Sequence, residues 1–322
     1  MLDIFFIICK YFVNFDNLSI NKLTKGSINE TYKLNVNNNN YILQKINTKI
    51  FNDNVILDMH NVTNYLKQYM KVPKLLKYNN NELFITYEDN IYRIYDYIEG
   101  SDIDKTKLTN NMIYNLGRYL YNYHTFLKKY DYIPKHSIEN FHNTQNYIDK
   151  ITSLLNNYDN DIRKNIVDMI FYYDNNYDKL FDDKQLIHGD TRIENILKNE
   201  EEFILIDYDT IMIGSIYIDI GDLCRSLFTN LEDNSIKYNK EIHINFIKGY
   251  YNEKLGISYN VFENKCIKSA LIICLELSIR FYIDYVEDYY FGYNEKKYSC
   301  RKEHNLNRAN ISYNLFKNIK DD

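Results

Sequence analysis

The stretch that decides the fold runs from Leu186 to Asp209 and reads LIHGDTRIENILKNEEEFILIDYD. An apolar pair opens it, and a polar segment from His188 to Asn195 follows. A second apolar run, FILI, ends at Asp207. Short apolar runs bounded by polar segments are typical of buried strands. The stretch therefore predicts a polar loop between strands, with carboxylate and amide side chains gathered at the strand ends.

The polar residues of this loop fit the needs of phosphoryl transfer. That reaction needs a carboxylate to take the proton of the attacking hydroxyl, and oxygen ligands to hold Mg²⁺ against the phosphates. Asp190 follows His188 by two positions and precedes Asn195 by five, which is the HxDxxxxN spacing of kinase catalytic loops. Asp207 lies where a metal-binding Asp belongs. A plain polar loop is the alternative, but carboxylates crowded at strand ends cost free energy unless cations compensate them.

Two regions of different character divide the chain of 322 residues. From residue 18 to residue 100, most segments have strand-like composition, and residues 54–71 carry apolar residues at helical spacing. We therefore expect an α+β, two-lobed fold. A small antiparallel-sheet lobe with one helix would span residues 1–99, and a large, mainly helical lobe would span residues 100–322. Helical periods in that second region cover residues 108–129, 138–155, 162–180, 259–290 and 303–319.

Composition and charge exclude several classes of protein. The net charge of −5 gives no basic surface for a nucleic-acid partner. Five cysteines without a CxxC spacing favour neither a disulfide framework nor a zinc site, and they fit a reducing cytoplasm. No segment reaches the ~18 to 20 apolar residues of a membrane span. The apolar opening, MLDIFFIICKYF, is short and carries an acid early, so we expect it to pack on the body of the protein, with no membrane partner.

Several segments beyond the loop resemble the aminoglycoside phosphotransferase and choline kinase superfamily, whose fold is protein-kinase-like. KGSINETYKL resembles the nucleotide-binding hairpin of that superfamily. YILQKIN, YRIYDYIEG, FHNT, EHNLNRA and the long IDYDTIMIGSIYIDIGDLCR are most similar to the N-acetylhexosamine 1-kinase branch. That branch more often has Asn where this chain has Gly189. The resemblance implies ATP and Mg²⁺ as cofactors and a small hydroxylated molecule as the acceptor.

The resemblance also implies roles for the polar residues of the loop. Asp190 would be the catalytic base, and Arg192 would face the γ-phosphate and stabilise developing charge. Asn195 and Asp207 would hold Mg²⁺. Asp209 would lie beside the metal, as a ligand or through water.

Three residues after the loop have plainer expected roles. Asp219 and Asp222, in the segment DIGD, would cap a helix and brace the catalytic loop. Arg225 would either bind the acceptor or only pair with those carboxylates.

The nucleotide side departs from the protein-kinase pattern. Protein kinases pair a strand Lys with a helix Glu to grip the phosphates. Aligning YILQ with that strand puts Gln44 at the gripping position. Its neighbour Lys45 would point to the opposite face of an ideal strand, and it either helps to bind nucleotide or faces solvent. No Glu occurs between Thr31 and Asn81, so Asp58 and His60 are the nearby candidates for its place.

The remaining nucleotide contacts follow from the resemblance. Gly26, in the hairpin segment, would lie against the phosphates. The adenine base would lie between the lobes, where the backbone of Asp96, Tyr97 and Ile98 could read its edge.

The acceptor site would be formed by the helical lobe near Asp190. Its candidate residues are His142, Arg225 and Arg308, of which Arg308 comes first because the match around it is specific to the hexosamine-like branch. Arg280 and the aromatic run at 289–291 are further candidates. An aminoglycoside would instead want an acidic groove, for which IDYVEDYYFGYNE offers acids that could equally face solvent. Choline would want an aromatic cage.

These expectations combine into one hypothesis with two rivals. The chain would use Mg-ATP to phosphorylate the anomeric hydroxyl of an N-acetylhexosamine. The first rival is a kinase for an aminoglycoside, choline or another small molecule. The second is a pseudokinase that binds nucleotide and serves as an interaction module, for which the missing Lys–Glu pair is the only support.

Overall fold

The computed structural model describes residues 2–23, 28–136, 138–177, 180–229 and 238–322, which fold into two lobes. The small lobe is built on a five-stranded antiparallel sheet in the order β1-β2-β3-β5-β4. Two helices accompany this sheet, one before the first strand and one between the third and the fourth. In chain order these elements are α1 (Leu2–Tyr11), β1 (Leu18–Leu23), β2 (Glu30–Val36), β3 (Asn39–Ile46), α2 (Asn54–Leu66), β4 (Ile85–Tyr87) and β5 (Asn90–Asp96).

A tight turn joins β2 to β3 and fixes their register. Asn37 and Asn38 both adopt positive φ, at 49° and 67°. Two-residue hairpin turns need this conformation because it matches the twist of the flanking strands, and Asn adopts it more readily than most side chains. The turn thereby sets Gln44 opposite Thr31, and the separate pairing of β3 with β5 sets Gln44 opposite Arg93.

The two faces of the small sheet have different partners. α1 buries Ile4, Ile7 and Ile8 against one face, where Tyr92 and Ile94 of β5 also point. The chain's apolar opening therefore packs on the body as expected. The face on which Gln44 and Arg93 lie is turned towards the large lobe, because Arg93 hydrogen-bonds to a residue of that lobe.

The large lobe is mainly helical, with two small sheets at its junction with the small lobe. One sheet pairs β7 with β10, and the other has the order β6-β8-β9. α8 is a single helix of 29 residues that packs against five other helices, α4, α5, α6, α7 and α9. The elements are β6 (Ser101–Asp102), α3 (Asn110–Leu127), α4 (Thr144–Ser153), α5 (Asn160–Asn176), β7 (Gln185–Ile187), β8 (Ile196–Asn199), β9 (Glu202–Leu205), β10 (Met212–Gly214), α6 (Ile216–Phe228), α7 (Lys240–Tyr250), α8 (Tyr259–Glu287) and α9 (Arg301–Lys320).

The predicted α+β fold with a strand-rich and a helical region is confirmed, and the small lobe contains α1 in addition to the one helix that was expected. The boundary at residue 100 stays a prediction. α7 has no counterpart among the predicted elements. It contains Gly249, a poor helix former, whose Cα lies against the backbone carbonyl of Tyr114 in α3. Gly249 is therefore explained by the close packing of α7 against α3. The same glycine lowers the helix propensity of the segment, which is why the sequence did not indicate α7.

Candidate active site

One buried carboxylate of α6, that of Asp219, accepts hydrogen bonds from the backbone of the catalytic loop. Asp219 Oδ2 accepts a hydrogen bond from the backbone N–H of His188 at 2.9 Å, and Oδ1 accepts one from Gly189 at 2.8 Å. His124 Nε2 lies 2.9 Å from Oδ2. Burial alone would raise the pKa of Asp219, but His124 and the other donors outweigh it, so the pKa is lowered. The bracing role expected of Asp219 is thus confirmed.

The expected helix-capping role was wrong. α6 begins after Ser215, whose hydroxyl accepts a hydrogen bond from the N–H of Tyr217, so Ser215 is the N-cap. Asp222 lies one turn beyond Asp219 and accepts a hydrogen bond from Arg225 at 2.5 Å. Arg225 therefore pairs with a carboxylate of its own helix, which was one of its two expected roles.

Only glycine fits the second position of the loop. Gly189 has φ +81°, which L side chains rarely adopt, and a Cβ there would lie 2.5 Å from the carbonyl oxygen of Thr210. The Thr210 hydroxyl in turn donates to the carbonyl of His188 at 2.9 Å. This close approach ties the loop to the segment that follows Asp207.

His188 links the loop to the end of β9. Its Nε2 lies 3.2 Å from the carbonyl oxygen of Ile206, and its Nδ1 lies 3.3 Å from the backbone nitrogen of Asp190. Burial lowers the pKa of His188, so the ring is neutral at pH 7. A neutral ring with its proton on Nε2 donates to Ile206 and accepts from Asp190, which satisfies both contacts. Both ring nitrogens of His188 therefore contact the backbone, and the ring joins the loop at Asp190 to the end of β9.

Three of the predicted site residues, Asp190, Arg192 and Asn195, lie close together in the loop. Asp190 is partly exposed, and Arg192 Nε lies 3.5 Å from its Oδ1. The Asp190 carboxylate raises the pKa of Arg192. Asn195 Nδ2 donates to the carbonyl of Asp190 at 2.9 Å, which leaves the amide oxygen as the group that a cation would use.

Asp207 begins the next turn in the left-handed conformation, with φ 65°. Burial, followed by the nearby carboxylates of Asp209 and Asp190, raises the pKa of Asp207 to about 7. A cation among these carboxylates would relieve their repulsion, and Mg²⁺ takes carboxylate and amide oxygens. Among the described residues, no group of three or more His, Cys, Asp or Glu side chains has metal-binding geometry. The Asp207 carboxylate and the Asn195 amide oxygen are the groups that would hold such a cation.

Gln44 and Lys45, which were both expected on the nucleotide side, lie on opposite faces of the small sheet. Gln44 is buried and faces the large lobe, whereas Lys45 lies on the α1 face, with Nζ 6.0 Å from the centre of the Tyr92 ring. The geometry does not bring Lys45 to the cleft. Gly26 lies outside the described residues. Asp58, a candidate for the missing Glu, accepts hydrogen bonds from Tyr132, Lys135 and His136 instead.

The segment that joins the lobes follows β5. The N–H of Asp96 donates to the carbonyl of Lys74 at 2.9 Å, and that of Tyr97 donates to Asn40 at 3.3 Å. Ile98 is buried. These contacts anchor the connection to the small lobe.

On the acceptor side, His142 also braces the catalytic loop. Its Nε2 lies 2.8 Å from the carbonyl oxygen of Gly189, and its Nδ1 lies 3.0 Å from Glu276 Oε1. Burial alone would lower the pKa of His142, but the Glu276 carboxylate outweighs it and raises the pKa. Glu276 is itself buried and accepts a hydrogen bond from Thr144 at 2.6 Å.

Arg280 lies among four aromatic rings, two of which belong to the run at 289–291 that was a candidate for the acceptor site. Burial alone would lower its pKa, but neighbouring tyrosines and acids raise it, and Asp190 is among those acids. The guanidinium therefore lies within electrostatic reach of the catalytic base. The ring centres lie 5.2 Å (Phe141), 5.3 Å (Tyr147), 5.8 Å (Tyr290) and 5.6 Å (Phe291) from its central carbon.

Arg308 and the acids of the 283–295 stretch complete this side. Arg308 donates from Nη1 to the carbonyl of Gly292 at 2.8 Å and lies 5.5 Å from the Phe281 ring. Asp284 is buried and accepts the backbone N–H groups of residues 289, 290 and 291. Asp284 therefore fits neither alternative considered for this stretch, since it is not part of an acidic groove and does not face solvent. The sequence did not predict this role, because nothing near a single Asp in a helix of mixed polarity indicates that its carboxylate will be buried and will accept backbone N–H groups.

Comparisons with known proteins agree with this arrangement. A model of the phosphotransferase enzyme family matches residues 19–242. A choline kinase from Cryptosporidium parvum Iowa II has a TM-score of 0.70 at 13% identity, over 100% of this chain and 96% of that chain. The microcompartment-associated aminopropanol kinase has a TM-score of 0.66 at 14% identity, over 100% and 98%.

A further similar structure is the amicoumacin kinase hAmiN in complex with AMP-PNP, Ca²⁺ and Ami, with a TM-score of 0.60 at 17% identity, over 94% of this chain and 88% of that chain. In the described part of this chain, every helix is too short or too polar to cross a membrane. At such identities the structural likeness shows the protein-kinase-like fold. Because the family match covers more than half of the sequence, the chain belongs to the phosphotransferase enzyme family.

Proposed function

We propose that the chain transfers the γ-phosphoryl group of ATP, with Mg²⁺, to the anomeric hydroxyl of an N-acetylhexosamine and forms the sugar 1-phosphate. The observation that carries phosphoryl transfer is the position of Asp190. It lies in a loop fixed by Asp219 and His142, next to the Arg192 guanidinium and within electrostatic reach of Asp207. The absence of disulfides among its five cysteines fits a cytoplasmic enzyme.

The residues of the loop would share the reaction as follows. Asp190 takes the proton of the acceptor hydroxyl while that oxygen forms its bond to the γ-phosphorus. The bond from the γ-phosphorus to the bridging oxygen breaks, and ADP leaves. Arg192 stabilises the negative charge on the transferring group. Mg²⁺, held by Asn195 and Asp207 with Asp209 beside it, would neutralise charge on the phosphates.

On the nucleotide side, the proposal keeps the expected contacts. The hairpin around Gly26 and the buried Gln44 would border the phosphates, and the connection at 96–98 would border the base. Lys45 would have to cross to the other face of the sheet to contribute, so it has no role in the proposal.

The charges on the acceptor side support a neutral acceptor over a cationic one. An aromatic cluster can hold a quaternary ammonium group by cation–π attraction. Here the chain's own Arg280 guanidinium occupies that position among four rings. Arg225 adds a second buried cation on the same side, with Asp190 among the acids that raise its pKa. Choline would therefore have to displace Arg280 from these rings, whereas guanidinium groups donate well to sugar oxygens.

ADP release with Mg-ATP and a panel of acceptors tests the proposal. The panel contains N-acetylglucosamine, N-acetylgalactosamine, galactose, choline and an aminoglycoside. Asp190→Asn serves as the blank, with kcat expected to fall about 10²- to 10⁴-fold while ATP binding is retained. Loss of ATP binding together with activity would count against a base role.

The product distinguishes the possible outcomes. Turnover on an N-acetylhexosamine, with a phosphate that is acid-labile as an anomeric phosphate should be, supports the proposal in full. Turnover on choline or the aminoglycoside alone overturns the acceptor and keeps the phosphoryl transfer. Nucleotide binding without turnover on any acceptor would favour an interaction module over an enzyme.

A further inference from the structure

A buried arginine in the middle of β5 stands where the protein-kinase pattern lacks a cation. β3 and β5 are antiparallel neighbours, and their register sets Gln44 directly opposite Arg93. Directly opposite residues of a sheet point to the same face. Gln44 occupies the strand position where a protein kinase has its phosphate-gripping Lys. Arg93 therefore brings a positive charge to the same face of the sheet from the adjacent strand.

The contacts of Arg93 join the two lobes. Its Nη2 donates to Asp209 Oδ1 at 2.6 Å and to Oδ2 at 2.8 Å. Nε and Nη2 also donate to Gln44 Oε1, at 2.9 and 2.6 Å. Asn29 Nδ2 donates to Asp209 Oδ2 at 2.8 Å, which adds a second tie from the small lobe. A carboxylate and an amide thus orient this guanidinium, as a helix Glu orients the Lys in protein kinases.

The Arg93 guanidinium has a donor left over. Nη1 is buried and has no hydrogen-bond partner among the described residues. Buried side-chain donors are almost always paired, because an unpaired one forfeits its hydration. Nη1 carries two N–H groups, and hydrogen bonds from a charged guanidinium to phosphate oxygens are among the stronger ones in proteins. An unpaired guanidinium nitrogen at this place therefore indicates a ligand with phosphate oxygens.

The surrounding charges place Arg93 at the phosphate end of the cleft. Burial alone would lower the pKa of Arg93, but Asp209 outweighs it, and Asp207 adds to the rise. Asp209, which Arg93 contacts at 2.6 Å, lies two positions after Asp207, the proposed metal ligand. Arg93 and the proposed metal ligand Asp207 therefore lie close to each other.

We propose that Arg93 replaces the missing Lys and binds the α- and β-phosphates of the nucleotide, with Asp209 and Gln44 as the groups that orient it. This rests on the proposed use of ATP. It also gives Asp209 a different role from that of a metal ligand, since both of its oxygens already accept hydrogen bonds from Arg93.

Calorimetric titration of the full chain with Mg-ATP, metal-free ADP and adenosine tests the proposal without any acceptor. Arg93→Gln should weaken binding of ATP and ADP about ten- to a hundredfold and leave adenosine within about twofold. The exposed Arg118→Gln is the matched control and should bind all three as the wild type does. Equal ATP affinity in Arg93→Gln, or an equal loss for adenosine and ATP, would overturn the proposal.

A second variant covers the case in which Arg93→Gln does not fold. Asp209→Asn keeps the arginine and removes the carboxylate that orients it. The affinity for metal-free ADP should then fall several-fold, about three- to tenfold. If only the Mg²⁺-dependent part of the affinity is lost, Asp209 is a metal ligand and the proposal is wrong.

Failure of this proposal and failure of the proposed function look different. A wild-type chain that binds neither nucleotide nor adenosine would count against the use of ATP itself. A wild type that turns over, beside an Arg93→Gln variant with unchanged ATP affinity, would overturn only the role of Arg93.

Discussion

The catalytic loop and the nucleotide side of the cleft are held in place in different ways. The loop receives buried hydrogen bonds from three directions, through Asp219, His142 and Thr210. The nucleotide side depends on one buried ion pair between the lobes, Arg93 with Asp209. The loop is thus fixed within one lobe whether or not the lobes move, whereas the phosphate grip exists only while the lobes are together.

This difference assigns the two halves of the site to different steps. A base must be positioned before the acceptor arrives, because proton transfer needs hydrogen-bond reach to the hydroxyl. A phosphate-binding cation on the other lobe makes contacts that depend on whether nucleotide is bound between the lobes. The contrast predicts that breaking the loop's supports changes stability and kcat, whereas breaking the ion pair changes nucleotide affinity.

The largest expected effect is that of Asp219→Ala. It leaves the N–H groups of His188 and Gly189 unpaired and removes the partner of His124, and each buried polar group left without its partner costs about 1–3 kcal/mol. We expect a loss of that size in the free energy of urea-induced unfolding, together with a large fall in kcat.

Asp58→Ala is the matched control for this change. Asp58 is also a buried acid that accepts two backbone N–H groups and a hydroxyl, but its donors lie at 132–136, outside the loop. Its stability loss should be similar and its kcat per folded molecule should be spared. Equal losses of kcat in both variants would mean that Asp219 supports the fold in general and not the loop in particular.

The second effect is that of Gly189→Ala, which tests the fit of the loop against the segment after Asp207. The variant combines a positive φ of 81° with a Cβ 2.5 Å from the carbonyl oxygen of Thr210. Residues held in such conformations cost about 1–3 kcal/mol, and the shift needed to relieve the clash would displace Asp190. Thermal unfolding and kcat measured on the same preparation should both fall.

Gly256→Ala separates strain from contact. Gly256 has a similar φ of 74°, but an added Cβ would meet nothing within 4 Å. Its cost should therefore be that of the left-handed conformation alone, about 1 kcal/mol. If Gly189→Ala costs no more than Gly256→Ala and retains full activity, the contact with Thr210 does not position the base.

The sequence predicts the catalytic loop well because its residues are close together in the chain. Asp190 and Asn195 are five residues apart, so one turn of backbone brings them into hydrogen-bond contact. The β2–β3 hairpin is equally local, because the adjacent residues Asn37 and Asn38 form its turn with positive φ. Where chemistry is set by local spacing, residue types suffice to predict it.

The nucleotide side could not be predicted in this way. Gln44 and Arg93 are 49 residues apart, and only the register of β3 against β5 makes them partners. The contact of Arg93 with Asp209 spans 116 residues and depends on how the lobes meet. His142 likewise braces the loop from 47 residues away, a role different from the acceptor contact expected of it.

The smallest effect concerns pH and the pair of His142 with Glu276. Because Glu276 raises the pKa of His142 above its usual 6.5, the pair's full stabilisation is present below that value and is lost as the pH rises through the folded-state pKa. Urea unfolding of wild type and Glu276→Gln, from about pH 5.5 to about pH 8.5, should therefore show a stability difference that shrinks towards alkaline pH. A difference that stays constant across the range would mean that His142 is neutral in the folded protein and holds the loop as an uncharged donor.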